Sequence, residues 1–264
     1  MKLRETFWQW GHPEGCFNAD YGNNKVARMT PMEGCLYLGI NKTFMVPMEL
    51  EVNRRQYNKS FETLSEVGWE LTVDYEGGIK PEQADAIIAD SKEFKNITCV
   101  VLDDFVRGNK RKYRQLTPES LWALREHLHE NNLDMWMVLY THEFGVNAED
   151  DEEFKACIEP FDGIIMWNWK EKNYREIPEK WEIFKALTPN QRRLFGCYLY
   201  NFGEKCECTG EAVKWQLDFY REKMFAGEAE GVVLHTNAMA DLDFEAYDAC
   251  REWMALHGDD EFPG

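Results

Sequence analysis

Three features of the sequence predict a (β/α)8, or TIM, barrel. Short apolar runs alternate with helix-like segments, the alternation occurs eight times, and no Pro/Gly/Ser-rich linker divides the 264 residues. Strand alternating with helix argues for parallel βαβ units with right-handed crossovers. An open doubly wound sheet would alternate too, but its first turn carries a glycine-rich phosphate loop, and here the first strand runs into "GHPEGCF". Repeats of unequal length argue against a solenoid. The expectation is one barrel domain over 1–264.

Each element follows from local pattern. "ETFWQWG" (5–11) is the first strand. After a Gly/Asn-rich stretch, "TPMEGCLYLGI" opens a helix with Thr30 as N-cap, Pro31 at its first position and Glu33 completing a capping box. "TFMVPM" (43–48) is the second strand, and the pattern predicts a helix over 50–68 closed by Gly68. "WELTVDYEG" (69–77) reads as the third strand, with a helix over 81–96 behind it. "ITCVVLDDF" (97–105) is the fourth, and "TPESLWALREHLHENN" repeats the Thr-Pro-Glu helix start. The fifth to eighth strands are "LDMWMVLYTHEF" (133–144), "FDGIIMWNW" (161–169), "RRLFGCYLYNFG" (192–203) and "AEGVVLHTNA" (229–238). Helices follow them around 148–161, 177–187, 209–228 and 243–256.

Composition narrows the partners. The formal net charge is −18, from 48 acidic and 30 basic residues, and such a surface repels phosphate backbones and anionic lipid headgroups. Neither nucleic acid nor membrane is expected as a partner. The one basic cluster, "RGNKRKYR" (107–114), is either a solvated loop or a local counter-charge for an anionic ligand group. No apolar run has the length of a signal peptide or approaches the ~20 residues of a membrane span, so a cytoplasmic location is expected. Eight cysteines are scattered, several inside apolar runs, as reduced buried thiols would be. Cys206-Glu-Cys208 is the only close pair, and zinc sites ordinarily need a second pair. Ten Trp and eleven Tyr exceed ordinary usage; most must serve packing, but aromatic faces also stack on sugar rings.

Barrels place their active sites at the C-terminal strand ends. Those ends carry, in order, Trp8, Trp10 and His12; Pro47 and Glu49; Asp74 and Glu76; Asp103 and Asp104; Thr141, His142 and Glu143; Trp167, Asn168 and Trp169; Tyr200, Asn201 and Glu204; and His235, Thr236 and Asn237. The strand beginnings ("CVVL", "MWMVL", "GIIM", "GVVL") are apolar. Polar side chains aimed into a barrel cost several kcal/mol each, on the order of their transfer free energy, unless partnered or solvated. A single acid at a strand end is ordinarily a solvated loop residue, but acids at four successive ends are better explained by function. Strand alternation sets Thr72, Asp74 and Glu76 on one face and divides Asp103 from Asp104, one inward and one toward a neighbour. It likewise puts Thr141 and Glu143 on one face and His142 on the other. Two carboxylates flanking a sugar can act as acid and base or nucleophile, about 5–5.5 Å apart for retention and about 6.5–9.5 Å for inversion. Crowded like charges raise one partner's pKa, as a general acid near neutral pH requires.

The fourth-strand ending "VVLDDF", an apolar strand closed by adjacent Asp103 and Asp104 and an aromatic, resembles the barrel glycosidases acting on N-acetylhexosamines. The resemblance implies that Asp103 orients and polarises the 2-acetamido group and that Asp104 is the general acid/base. It further implies that aromatic walls and donors such as Trp167, Trp169, Tyr200, Asn201 and Asn237 hold the sugar. The expected reaction is acid-assisted cleavage of a glycosidic bond in a small glycan or glycoside, without cofactor or metal. Asp104 protonates the leaving oxygen, Asp103 or Glu143 stabilises the transition state or activates water, and Trp8, Trp10, Trp167 and Trp169 form subsites.

Two other readings fit the same residues. A metal-dependent sugar isomerase or epimerase would find ligand types in Glu49, Asp74, Glu76, Asp103, His142, Glu143 and His235. Against it, the first strand has His12 alone rather than His-x-His, and "THEF" lacks the second His of a zinc motif. A non-catalytic carbohydrate-binding barrel would use the same aromatic and polar rim, since fold does not imply function. No Gly-rich dinucleotide loop is present, and Lys170 after "WNW" is the nearest approach to a Schiff-base lysine.

Overall fold

The computed structural model describes residues 1–48, 50–74, 78–79, 81–104 and 116–263, with the side chains of all but 73, 74, 78, 79 and 153. Glu49, Glu76, Phe105 and the basic cluster at 107–114 lie outside the described residues, as does the side chain of Asp74.

Eight parallel strands close into a barrel. They are β1 (Phe7–Gly11), β2 (Lys42–Met45), β3 (Glu66–Glu70), β4 (Ile97–Leu102), β5 (Asp134–Tyr140), β6 (Gly163–Trp167), β7 (Arg192–Tyr198) and β8 (Gly231–His235). Closure is direct: Trp10 of β1 is in register with Phe44 of β2 on one side and His235 of β8 on the other. The helices are α1 (Pro31–Leu38), α2 (Arg54–Ser60), α3 (Pro81–Glu93), α4 (Pro118–His129), α5 (Ala148–Ile158), α6 (Ile177–Leu187), α7 (Gly210–Phe225) and α8 (Glu245–His257). Among the described residues, no helix is long and apolar enough to cross a membrane. All eight cysteines are free thiols, and only Cys206 is exposed.

Capping explains where helices begin. The Thr30 side chain accepts from the Glu33 amide while Glu33 returns to the Thr30 amide, the expected capping box. At α4 the box closes through Ser120 rather than the acid of Thr-Pro-Glu.

The third strand departs from expectation. It occupies Glu66–Glu70 rather than 69–77, and α2 ends at Ser60 rather than running to Gly68. Gly68 is not a helix terminator; a side chain there would collide with the Phe44 ring on the adjacent strand. The same device recurs twice. Trp136 is in register with Gly163, and Trp167 with Gly196, and each ring lies where the glycine's side chain would be. Aromatic on one strand over glycine on the next lets large rings fill the interior without spreading the strands. The lower interior is Trp8 stacked on Phe44 at 4.5 Å, with Trp136 at 6.2 Å from Phe44. Above it, Trp10 meets Trp167 edge-on at 5.6 Å.

Most strands also end earlier than the alternation suggests. β5 stops at Tyr140, β6 at Trp167, β7 at Tyr198 and β8 at His235. Tyr200–Asn201 leaves the barrel to pair antiparallel with Cys206–Glu207, and Val73–Asp74 pairs with Gly78–Ile79 in a second small ribbon. Asp74 therefore sits beyond β3 in a ribbon of its own, and the shared face proposed for Thr72, Asp74 and Glu76 does not arise from β3.

Candidate active site

The C-terminal mouth encloses a cavity of about 280 Å³. Its floor is Trp10 and Trp167, at 3% and 1% exposure. Asp103, Asp104, Tyr140, His142 and Glu143 line the β4–β5 side, and His12 and His235 the β1–β8 side. Trp169, Tyr198, Phe202, Phe17, Tyr21 and Met48 complete the walls.

Asp103 and Asp104 both face this cavity, against the alternation that would have separated them. The chain leaves β4 at Leu102 and turns, Asp104 taking a left-handed φ of 44°. The Asp103 carboxylate accepts the amide of the next residue, Asp104, at 2.9 Å. Tyr140, the last residue of β5, donates its phenol to Asp104 Oδ1 at 3.2 Å. Burial, then the charge and hydroxyl of its neighbours, raises the Tyr140 phenol well above its ordinary pKa, so it stays a donor. Tyr198 hydrogen-bonds to it and is raised for the same leading reason.

Glu143 reaches the cavity by a turn as well. Its amide donates to the Tyr140 carbonyl at 2.8 Å, and its Oε2 accepts the Tyr140 amide at 2.9 Å. That curl brings His142 and Glu143 to the same cavity, whereas an extended strand would have opposed them. Thr141 turns away instead, its hydroxyl donating to Asn168 Oδ1 at 3.3 Å. His142 is the exposed rim, its pKa lowered by partial burial and by Lys170 and Lys180.

Opposite the acids stand two imidazoles. His12 Nδ1 lies 2.7 Å from the Val46 carbonyl, and His12 Nε2 lies 3.3 Å from His235 Nε2. Burial lowers His12 to about 4, and burial followed by the neighbouring His12 imidazole lowers His235 well below the ordinary histidine value. Asn237 fixes this corner without entering it: its Oδ1 accepts the His12 amide at 2.8 Å, and its Nδ2 donates to the carbonyls of His12 and Met29.

Several expected ligand contacts lie elsewhere. Trp8 is inward-facing but one layer too low; it lines a separate cavity at the N-terminal end with Trp136, Lys42 and Arg192. Tyr200 is buried, stacked on Phe244, and its hydroxyl donates to the Tyr21 carbonyl at 2.8 Å, steadying a wall loop rather than touching the cavity. Asn201 is consumed by its own turn, donating to Glu204 at 3.1 Å. Asn168 belongs to a small adjoining pocket with Thr141, Lys170 and Asn173, and His142 and Trp169 border both.

Phe17, Tyr21, Met48, Tyr140, Tyr198 and Phe202 line the cavity and were absent from the sequence-based set. Tyr140 and Tyr198 were within reach, being strand-terminal aromatics; reading the strands too long moved attention past them. Phe17 and Tyr21 come from a loop with no periodic pattern.

The mouth carboxylates and imidazoles do not bring three metal-ligating atoms together among the described residues. The cluster that does so is His129, Asp134 and Asp162. There Arg125 and His129 both pair with Asp162, and Arg192 pairs with Asp134.

No protein-family model matches the chain, and no curated protein does. Solved structures do superpose on it. Active domain 2 of a thermostable chitinase from Pyrococcus furiosus aligns with TM-score 0.62 and 11% identity over 97% of this chain and 96% of that one. The GH18 chitinase ChiB from Flavobacterium johnsoniae aligns with TM-score 0.55 and 12% identity over 97% and 96%. Tryptophan synthase from P. furiosus aligns with TM-score 0.51 and 11% identity over 97% and 98%. At such identities the likeness shows the barrel fold alone.

Proposed function

We propose that the chain is a glycosidase that cleaves a glycosidic bond in a small glycan or glycoside, with Asp104 as general acid. The observation that carries this reading is the hydrogen-bonded run Asp103–Asp104–Tyr140 on the wall of an aromatic-floored cavity at the barrel mouth. Each part has a task in the chemistry. Trp169, half-buried on the wall, offers a ring face of the kind sugars stack on, and Trp10 and Trp167 close the floor beneath the cavity. Asp103 and Glu143 each have one oxygen held by a backbone amide, which fixes the direction of the carboxylate. Fixed orientation matters because positioning supplies a large part of the rate. Asp104, steadied by a phenol that stays protonated, gives its proton to the leaving oxygen. Asp103 or Glu143 then stabilises the oxocarbenium-like transition state or activates water. The likeness to chitinase barrels and the "VVLDDF" ending support N-acetylhexosamines as the first sugars to try.

The test is release of 4-methylumbelliferone from a panel of α- and β-glycosides of hexoses and N-acetylhexosamines. At least one member should be cleaved, and Asp104→Asn should lower kcat by about 100-fold or more, the ordinary share of a general acid. A panel left intact, or a cleaved member whose rate Asp104→Asn does not change, would overturn the reading.

A further inference from the structure

A second cavity, of about 290 Å³, adjoins the mouth and nearly matches it in size. His142 and Trp169 form the wall between the two, and Thr141, Asn168, Lys170 and Asn173 line the rest of the second. Ligand pockets ordinarily begin at about 300 Å³, so each cavity has room for one small unit. The second lies on the side of the acid. Tyr140, which donates to Asp104 at 3.2 Å, has its ring 5.5 Å from His142 and 5.9 Å from Trp169. Its lining is polar where the mouth is aromatic. Two of the polar groups are taken up by the fold: the Thr141 hydroxyl donates to Asn168 Oδ1 at 3.3 Å, and Asn168 Nδ2 donates to the Lys170 carbonyl at 2.8 Å. Two are not. Among the described residues, neither the Lys170 ammonium nor the Asn173 side-chain amide has a hydrogen bond or ion pair, and both residues are half-buried rather than sealed from solvent. Lys170 is nonetheless held in place. Its Cγ lies where a side chain at Gly203 would be, and its carbonyl accepts the Asn173 amide at 3.0 Å. After burial, its charge is the next influence that lowers the His142 imidazole, which places the ammonium toward the shared wall.

We propose that this second cavity receives the leaving group and that the leaving group is a sugar, held by Lys170 and Asn173, so that the substrate is at least a disaccharide. The proposal rests on the glycosidase reading and on Asp104 as its acid. The oxygen that takes the proton belongs to the leaving group, so the leaving group lies nearest the acid, on the side of His142 and Trp169. An ammonium brings three donors, and an amide brings two donors and an acceptor oxygen. Sugar hydroxyls can satisfy both, whereas an apolar aglycone would strip them of water and return nothing.

The test compares leaving groups on one sugar, the one that the 4-methylumbelliferyl panel selects. Its methyl glycoside is set against the disaccharides in which the same sugar is linked 1→3, 1→4 or 1→6 to glucose or to N-acetylglucosamine. At least one disaccharide should exceed the methyl glycoside in kcat/KM by about tenfold, in line with one or two hydrogen bonds to the leaving unit. On that pair, Lys170→Met should lower kcat/KM for the disaccharide about tenfold more than for the methyl glycoside. Asn173→Ala should act in the same direction by a smaller factor. A methyl glycoside cleaved as well as every disaccharide, or a Lys170→Met loss that is the same on both members of the pair, would overturn the proposal and leave the glycosidase reading standing. A panel left wholly intact overturns that reading and this proposal with it. Should Lys170→Met not fold, Asn173→Ala carries the same comparison.

Discussion

At the scale of single residues, the mouth depends on side chains whose protons are held in place by burial. His12 and His235 are both forced neutral, and the sign of the consequence is fixed. A buried histidine with a lowered pKa binds fewer protons folded than unfolded, so stability is complete above the ordinary value of 6.5 and is lost as pH falls from there toward 4. For His12 this amounts to roughly 2 kcal/mol between pH 7.5 and pH 5, with His235 acting in the same direction. Urea unfolding at the two pH values should show the midpoint drop, and a smaller drop in His235→Phe. A midpoint that does not move between pH 7.5 and pH 5 would mean that the pair is not buried as described. Residue identity at this corner was partly legible in the sequence: His12, His235 and Asn237 all stood out as polar groups at strand ends. Their division of labour was not. Asn237 holds backbone, and His12 bonds His235, because three-dimensional partners decide which polar group lines the cavity.

At the scale of elements, the barrel's inner layer is built from aromatic–glycine pairs across neighbouring strands. Trp167 over Gly196 is the pair nearest the site, since Trp167 is also the cavity floor. Gly196→Ala should therefore act twice. The added methyl overlaps the indole and should destabilise the fold by about 1–3 kcal/mol, the usual cost of overpacking. Displacing the indole should also weaken saccharide binding. Chemical denaturation and ligand titration on the same variant check both; an alanine accommodated with unchanged stability would contradict the packing described. These pairs also explain where sequence reading failed. Gly68 has the local signature of a helix terminator, yet its role is to receive Phe44 from β2, a partner 24 positions away in sequence. Misplacing that one glycine shifted the third strand and carried Asp74 and Glu76 with it to a strand end that lies elsewhere. Strands read too long had a similar effect at β5 and β4: Tyr140 was passed over, and Asp103/Asp104 and His142/Glu143 were sorted by an alternation that turns had already broken.

At the scale of the whole molecule, the eightfold alternation was the strongest signal in the chain, and the closed parallel barrel follows it strand for strand. Hydrophobic periodicity sums over many residues and so survives errors at any single boundary. The division between an apolar base and a polar, aromatic mouth was legible for the same reason. The cavity assembled there draws on β1, β4, β5, β6, β7 and β8 and on the loops beyond them, so its shape is a property of closure and not of any one motif. In the proposed reaction Asp104 delivers a proton to a departing sugar oxygen at this mouth. The most direct measurement is the rate of Asp104→Asn against wild type on two glycosides of the same sugar, one with a 2,4-dinitrophenyl leaving group and one with an alkyl group. A lost general acid should slow the alkyl glycoside by several orders of magnitude while leaving the dinitrophenyl glycoside, whose leaving group needs no proton, far less affected. Equal losses on both would contradict the assignment and return Asp104 to the role of binding or shaping the cavity.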